Sequence, residues 1–309
     1  MRRRTLLTSG AASAAAFAAP AASAASNAAK FRLKYGPHPG MFKESAGENV
    51  FDQIQFSADQ GFRAWEDNRV HERPIDEQTA IGKKLEQNGM TMGVFVAFGI
   101  GRFEDPAFVS QTDREYQDML RGHMRNAVEV AKRVGATWCT VVPGAVNQNL
   151  DPGYQFANCV ANLKAMSEVC EPSGLVMVLE PLNWYKNHPG LFLRTVPQTY
   201  AVCKAVGSPS CKILDDLYHQ QIDCGNLIPN LEMGWDEIPY IQIGDNPGRK
   251  GADHRRDQLQ EHLQVAPREG VRRRAGHGAR EFASRQGRRD GGDRGVSRVR
   301  FILDLPTFG

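Results

Sequence analysis

The sequence has no Cys-x-x-Cys pair and no Gly-x-Gly-x-x-Gly turn after its first strand-like run. The first absence removes the usual thiolate metal sites, and the second removes the cradle for a dinucleotide pyrophosphate. Past the N-terminus no run approaches the roughly 18 apolar residues of a membrane span. Net charge is only +3, although it is unevenly spread. The six cysteines (Cys139, Cys159, Cys170, Cys203, Cys211, Cys224) show no metal-type spacing. An even count permits disulfides in an exported chain. Yet Cys139 and Cys211 fall in strand-like runs and Cys159, Cys170 and Cys203 in helix-like ones, where buried thiols are found. They read as mostly free.

What is present begins with a targeting segment. Arg2-Arg3-Arg4 precede Thr5-Leu6-Leu7, and an Ala-rich run follows with Ala22-Ser23-Ala24 as a cleavage candidate. The arginines and the weakly apolar core fit a twin-arginine signal better than an ordinary secretory one, so export to the periplasm is expected. Residues 1–26 are therefore set apart from the fold. The rest, in a chain of 309 residues that is 41% hydrophobic, is long enough for one large α/β domain.

Strands and helices then alternate. Strands are expected at Phe31–Tyr35, Phe62–Glu66, Thr91–Ala97, Thr137–Val142, Val176–Leu179, Cys211–Leu217 and Pro239–Gly244. Helices are expected over Glu48–Gln60, Ile75–Asn88, Thr112–Val134, Gln155–Cys170 and Val196–Val206. Alternation of this kind argues for parallel βα units. About seven such steps with polar strand ends predict a (β/α)8 TIM barrel with one unit unaccounted for. A doubly wound open sheet is the fallback.

The stretch that organises the chain is Val176-Met177-Val178-Leu179-Glu180-Pro181. Apolar β-formers run into a carboxylate and a proline ends the strand, at the end where parallel α/β folds keep their chemistry. The next strands repeat the pattern, with Asp216 followed by His219, and then Gln242. Neighbouring strands lie about 4.8 Å apart, so these side chains can converge on one ion. Two carboxylates and an amide oxygen suit a divalent ion of the Mg or Mn type better than a structural zinc. The bland alternative is a rim of salt bridges and capped loops.

Leu179-Glu180-Pro181-Leu182-Asn183 with His188-Pro189-Gly190, Asp216-Leu217-Tyr218-His219-Gln220-Gln221, and Ile241-Gln242-Ile243-Gly244-Asp245-Asn246-Pro247-Gly248-Arg249 resemble hydroxypyruvate isomerases, members of the xylose-isomerase-like barrel superfamily. Lys34-Tyr35-Gly36-Pro37-His38 and Ala64-Trp65-Glu66-Asp67-Asn68 fit as well. The resemblance covers about residues 31–250, within a barrel domain placed at 27–250. It implies that Glu180, Asp216 and Gln242 are metal ligands and that Glu180 is catalytic. It also implies that a Glu on the eighth strand is the fourth ligand and the proton-transfer partner of Glu180. His219 and Arg249 would hold substrate oxygens, and His38 would line the mouth. The implied reaction moves a proton between neighbouring carbons of a small carbohydrate or hydroxy-keto acid through an enediolate, with the metal acidifying the C–H.

The chain departs from that family after Lys250. From Gly251 to Arg300 there is no Lys, Tyr or Trp, arginine is abundant and apolar periodicity vanishes. Arg272-Arg273-Arg274 and Arg288-Arg289 could touch nucleic acid or anionic lipid. A frameshift explains them better, so no nucleic-acid partner is expected, and no membrane contact after signal removal. Back-translated and moved forward by one base, Gly251 to Leu263 can read Glu-Pro-Thr-Thr-Gly-Glu-Ile-Asn-Tyr-Lys-Asn-Ile, as the family does there. His277-Gly278-Ala279-Arg280 shifts to Met-Glu-His-Gly, the family's eighth strand end, and Asp293 to Ser297 to Ile-Glu-Ala-Tyr. On this reading 251–309 is a frameshifted tail, largely disordered, and the chain has no fourth ligand. An incomplete barrel with two open edges, poor stability and little isomerase activity are expected.

Rival readings are a ketose 3-epimerase on the same barrel and a non-catalytic sugar-binding remnant. Lys186 stands where such epimerases carry an acidic substrate contact, which ranks that reading second. A multi-zinc endonuclease ranks low because only His38, His71, His123, His188 and His219 lie in the recognisable region. A homo-oligomer stays open.

Overall fold

The computed structural model describes residues 33–244 and 246–247, together with the backbone of 299–302. The expected signal at 1–26, Arg249 and the expected tail apart from 299–302 lie outside the described residues.

The parallel βα alternation is present. The strands are β1 (Lys34–Gly36), β2 (Ala64–Trp65), β3 (Thr91–Met92), β4 (Val96–Phe98), β5 (Trp138–Val141), β6 (Val176–Leu179), β7 (Cys211–Asp216), β8 (Tyr240–Ile243) and β9 (Val299–Ile302). The helices are α1 (Lys43–Ala46), α2 (Val50–Asp59), α3 (Ile75–Gln87), α4 (Ala107–Ser110), α5 (Arg114–Val134), α6 (Pro152–Cys170), α7 (Val196–Val206), α8 (Leu217–Asp223) and α9 (Leu227–Gly234). One sheet runs β1-β9-β8-β7-β6-β5-β4, and a short parallel pair β2-β3 completes the wall. The Glu66 N–H donates to the Pro37 carbonyl at 2.9 Å and ties the end of β2 to the end of β1. This is the TIM barrel predicted from the alternation.

Local chemistry sets the element ends. Asp113 caps α5 by accepting from the Tyr116 N–H, and Gly135 closes that helix in the left-handed conformation. Gly82 is required where α3 crosses α5, because a Cβ there would collide with the Arg133 carbonyl. The expected strand Thr91–Ala97 is broken in two. Its Gly93 N–H bonds to Trp65 and its Val96 N–H to Asn68, so the chain bends between β3 and β4. The helices α8 and α9 were not expected; Leu217, assigned to a strand from sequence, opens α8 instead.

Side chains alternate across the wall. Ala64, Val94, Trp138, Val178, Leu214 and Tyr240 form one buried layer inside the barrel. On the outer face Met177, Leu179, Ile213 and Ile241 pack with Ile54, Leu85, Leu120 and Leu163 of the helices. All six cysteines are free, and all but Cys224 are buried.

One expectation is corrected. The segment after Lys250 was expected to contribute no strand and to leave two open edges. Val299–Ile302 instead forms β9, antiparallel to both β1 and β8. A Val-Arg-Phe-Ile run has β-forming composition, and two unpaired edges offer it a ladder on each side. Its direction differs from every other pair in the wall. Deleting residues 299–309 should lower the unfolding free energy read from urea curves by about a few kcal/mol, since each lost ladder bond is worth about 0.5–1.5 kcal/mol. Coincident urea curves for the full and shortened chains would show that β9 adds nothing to stability.

Candidate metal centre

The inward alternation that fills the barrel with Val178, Leu214 and Tyr240 carries one step further into polar groups. Two residues beyond those positions stand Glu180, Asp216 and Gln242, at the C-terminal ends of β6, β7 and β8. Register places Asp216 directly beside Gln242. Pro181 ends β6 just after Glu180, and its carbonyl accepts from Gln220 Nε2 at 3.1 Å.

Glu180, Asp216 and His219 converge, with one side-chain oxygen or nitrogen of each lying within 4.8 Å of the others. Asp216 and His219 are buried and Glu180 is half-buried. Asp216 is held twice over. Its Oδ1 caps α8 by accepting from the Tyr218 N–H at 2.9 Å, and its Oδ2 lies 3.6 Å from His219 Nε2. His219 is oriented by Asn183, whose backbone N–H donates to Nδ1 at 3.3 Å and whose Nδ2 lies 2.7 Å from the same atom. A backbone N–H can only donate, so Nδ1 is the acceptor and the ring proton sits on Nε2, facing the carboxylates.

Gln242 is buried, and its Nε2 donates to Glu66 Oε1 at 3.1 Å. Its Oε1 is buried with no hydrogen-bond partner among the described residues. A buried carbonyl oxygen left bare is costly. Two carboxylates brought together with an orphaned amide oxygen make a donor set that fits a hard divalent cation. Asp215, on the opposite face of β7, is pushed up to about 7 by burial and by the neighbouring charge of Asp216.

The structure thus brings together Glu180, Asp216 and His219, with Gln242 next to Asp216. His38 stands at the end of β1, its Nδ1 2.9 Å from the Pro39 carbonyl, and is not part of the cluster. Two participants had gone unassigned. Asn183 lay inside a quoted motif but had no role. Glu66 was seen as a strand-end carboxylate, and only the fold supplies its partner 176 residues away. A chain of ring contacts leads away from the cluster, with His188 5.5 Å from His219 and Phe103 5.2 Å from His188 between ring centroids.

Comparison with known proteins gives the class. The profile of the xylose isomerase-like TIM barrel family matches residues 54–278. The chain belongs to that family, which is enzymatic. The match runs past Lys250 and so does not itself mark a break there. Among relatives, the 2-oxo-tetronate isomerase of Cupriavidus necator is 29% identical over 69% of this chain and 79% of its own length. A human protein named "Putative hydroxypyruvate isomerase" is 31% identical over 43% of this chain, and the match spans 50% of that protein. A D-psicose 3-epimerase from Clostridium cellulolyticum H10 superposes with a TM-score of 0.61 at 13% identity, covering 81% of this chain and 98% of its own. At that identity the likeness shows the fold alone.

Proposed function

We propose that the protein descends from, and retains the metal centre of, a divalent-metal-dependent aldose–ketose type isomerase acting on a small hydroxy-keto acid or sugar. The observation that carries this reading is the convergence of Glu180, Asp216 and His219 within 4.8 Å, beside a Gln242 oxygen that lacks a partner among the described residues. The isomerase names of the relatives support the reaction class.

Glu180, Asp216 and Gln242 would hold an ion of the Mg or Mn type. When bound, that ion supplies the positive charge that polarises a substrate carbonyl and its neighbouring hydroxyl. Glu180, the half-buried member of the cluster, takes the proton from the carbon bearing the hydroxyl. His219 donates its Nε2 proton to a substrate oxygen, and Asn183 keeps the ring in the tautomer that can do so. His188 packs its ring against His219, and Phe103 packs against His188, beside this space. Returning the proton to the adjacent carbon needs a second carboxylate, assigned on this reading to the eighth-strand Glu that a frameshift after Lys250 removes. The same reading keeps the arginine-led N-terminus as a twin-arginine export signal.

Metal binding tests the centre in the chain as it stands. At a Mn2+ concentration about a hundred times its Kd, unfolding free energy should rise by about 2.7 kcal/mol. Asp216→Asn should abolish that rise while keeping the cap on α8, because Asn caps as well as Asp. Thermal unfolding with and without Mn2+ reads both. A wild-type chain indifferent to Mn2+, Mg2+ and Co2+ would remove the metal centre from this account.

A further inference from the structure

We infer that Glu66 is a positioning residue that fixes which end of the Gln242 amide faces Glu180 and Asp216. The inference rests on the proposed metal centre and extends it by one layer.

One group in the relay has a polarity that cannot be reversed. The Val94 backbone N–H lies 3.4 Å from the Tyr240 hydroxyl oxygen and can only donate to it. The phenol therefore turns its own proton elsewhere, and Glu66 Oε2 lies 3.2 Å away to accept it. Glu66, itself fully buried, offers its other oxygen to Gln242 at 3.1 Å. A carboxylate oxygen only accepts, so Gln242 must present Nε2 to it. The amide oxygen branches the other way. Glu66 reaches Gln242 from the β2 side of the barrel, and β7 with Asp216 flanks β8 on the opposite side. With Nε2 committed to Glu66, the Oε1 that has no partner among the described residues is the end left for the Asp216 side. An amide can flip end for end at little steric cost. Without Glu66, nothing in this relay would distinguish an oxygen facing the ion from an NH2 facing it.

Glu66→Gln reverses the relay with almost no change in shape. The Tyr240 proton then takes the new amide oxygen, and the new NH2 faces Gln242. Gln242 must answer with its oxygen and send its own NH2 toward Glu180 and Asp216. Mn2+ affinity, measured by calorimetric titration of the full chain, should fall about 10–100-fold. The double variant Glu66→Gln/Gln242→Glu reverses both partners. Its new carboxylate accepts from residue 66 and still shows an oxygen to the ion, so affinity should return to within a few-fold of wild type. A Glu66 that only supported the fold would give no such recovery.

A second readout needs no metal. In the metal-free chain the Gln242 side-chain NH2 protons should show a nuclear Overhauser contact to the Tyr240 hydroxyl proton, lost in Glu66→Gln. Loss of affinity with recovery in the double variant, and loss of the Overhauser contact, support the assignment. Unchanged Mn2+ affinity in Glu66→Gln, failure of the double variant to recover, or a contact that persists would overturn it. If the wild type binds no Mn2+, the metal centre falls, and the Overhauser contact alone decides the role of Glu66.

Discussion

Removing one base near Lys250 should raise isomerase turnover by about 10²–10⁴-fold, the range that one placed proton carrier contributes. The corrected chain would read Glu-Pro-Thr-Thr-Gly-Glu in place of the residues from Gly251, and Met-Glu-His-Gly in place of His277 to Arg280. On the proposed reading the second change would supply the carboxylate that a two-carbon proton shift requires. It would also supply a parallel eighth strand where β9 now runs antiparallel to both neighbours. Both effects act in the same direction. A parallel strand would aim its C-terminal end at the mouth, whereas an antiparallel one aims its N-terminal end there. The measurement is the rate of hydroxypyruvate conversion by the two chains, each with Mn2+. Equal rates would mean that the natural frame is the one given, and that the residues after Lys250 cost the enzyme nothing.

Much of this centre could be read from strand ends alone. Glu180, Asp216 and Gln242 each follow an apolar run, and a two-residue side-chain period on adjacent parallel strands puts all of them on one face. His219 lies three residues past Asp216, and the turn that brings it back is the start of α8. That helix was missed because Asp216 plays two parts, strand end and helix cap, and its strand-forming neighbours hid the second. Glu66 shows the opposite limit. Its residue type and position were visible, but its function depends on Tyr240 and Gln242, and no local pattern connects residues so far apart in the chain. The strand β9 was illegible for a different reason. Four residues of β-forming composition take up a strand only because β1 and β8 expose edges on either side, a property of the assembled wall and not of the segment.

Glu180→Gln should suppress proton abstraction by a factor of about 10²–10⁴, and on the proposed frameshift reading this can be tested without the second carboxylate. A base that removes the hydroxymethyl proton of hydroxypyruvate lets deuterium enter from solvent, even when the partner that would complete the isomerisation is absent. The chain as given should therefore exchange substrate protons in D2O with Mn2+ present while forming little product. Glu180→Gln removes the acceptor for that proton with almost no change in shape, at a position that is only half-buried. It also withdraws one charge from the cluster with Asp216 and His219, so Mn2+ affinity should fall as well. The two effects separate at saturating metal, where only the loss of the base remains. Glu180→Asp keeps the charge and should recover most of the affinity but little of the exchange, because the carboxylate is drawn back by one methylene. Exchange in D2O by Glu180→Gln at the wild-type rate would place the base on another residue and leave Glu180 as a metal ligand alone.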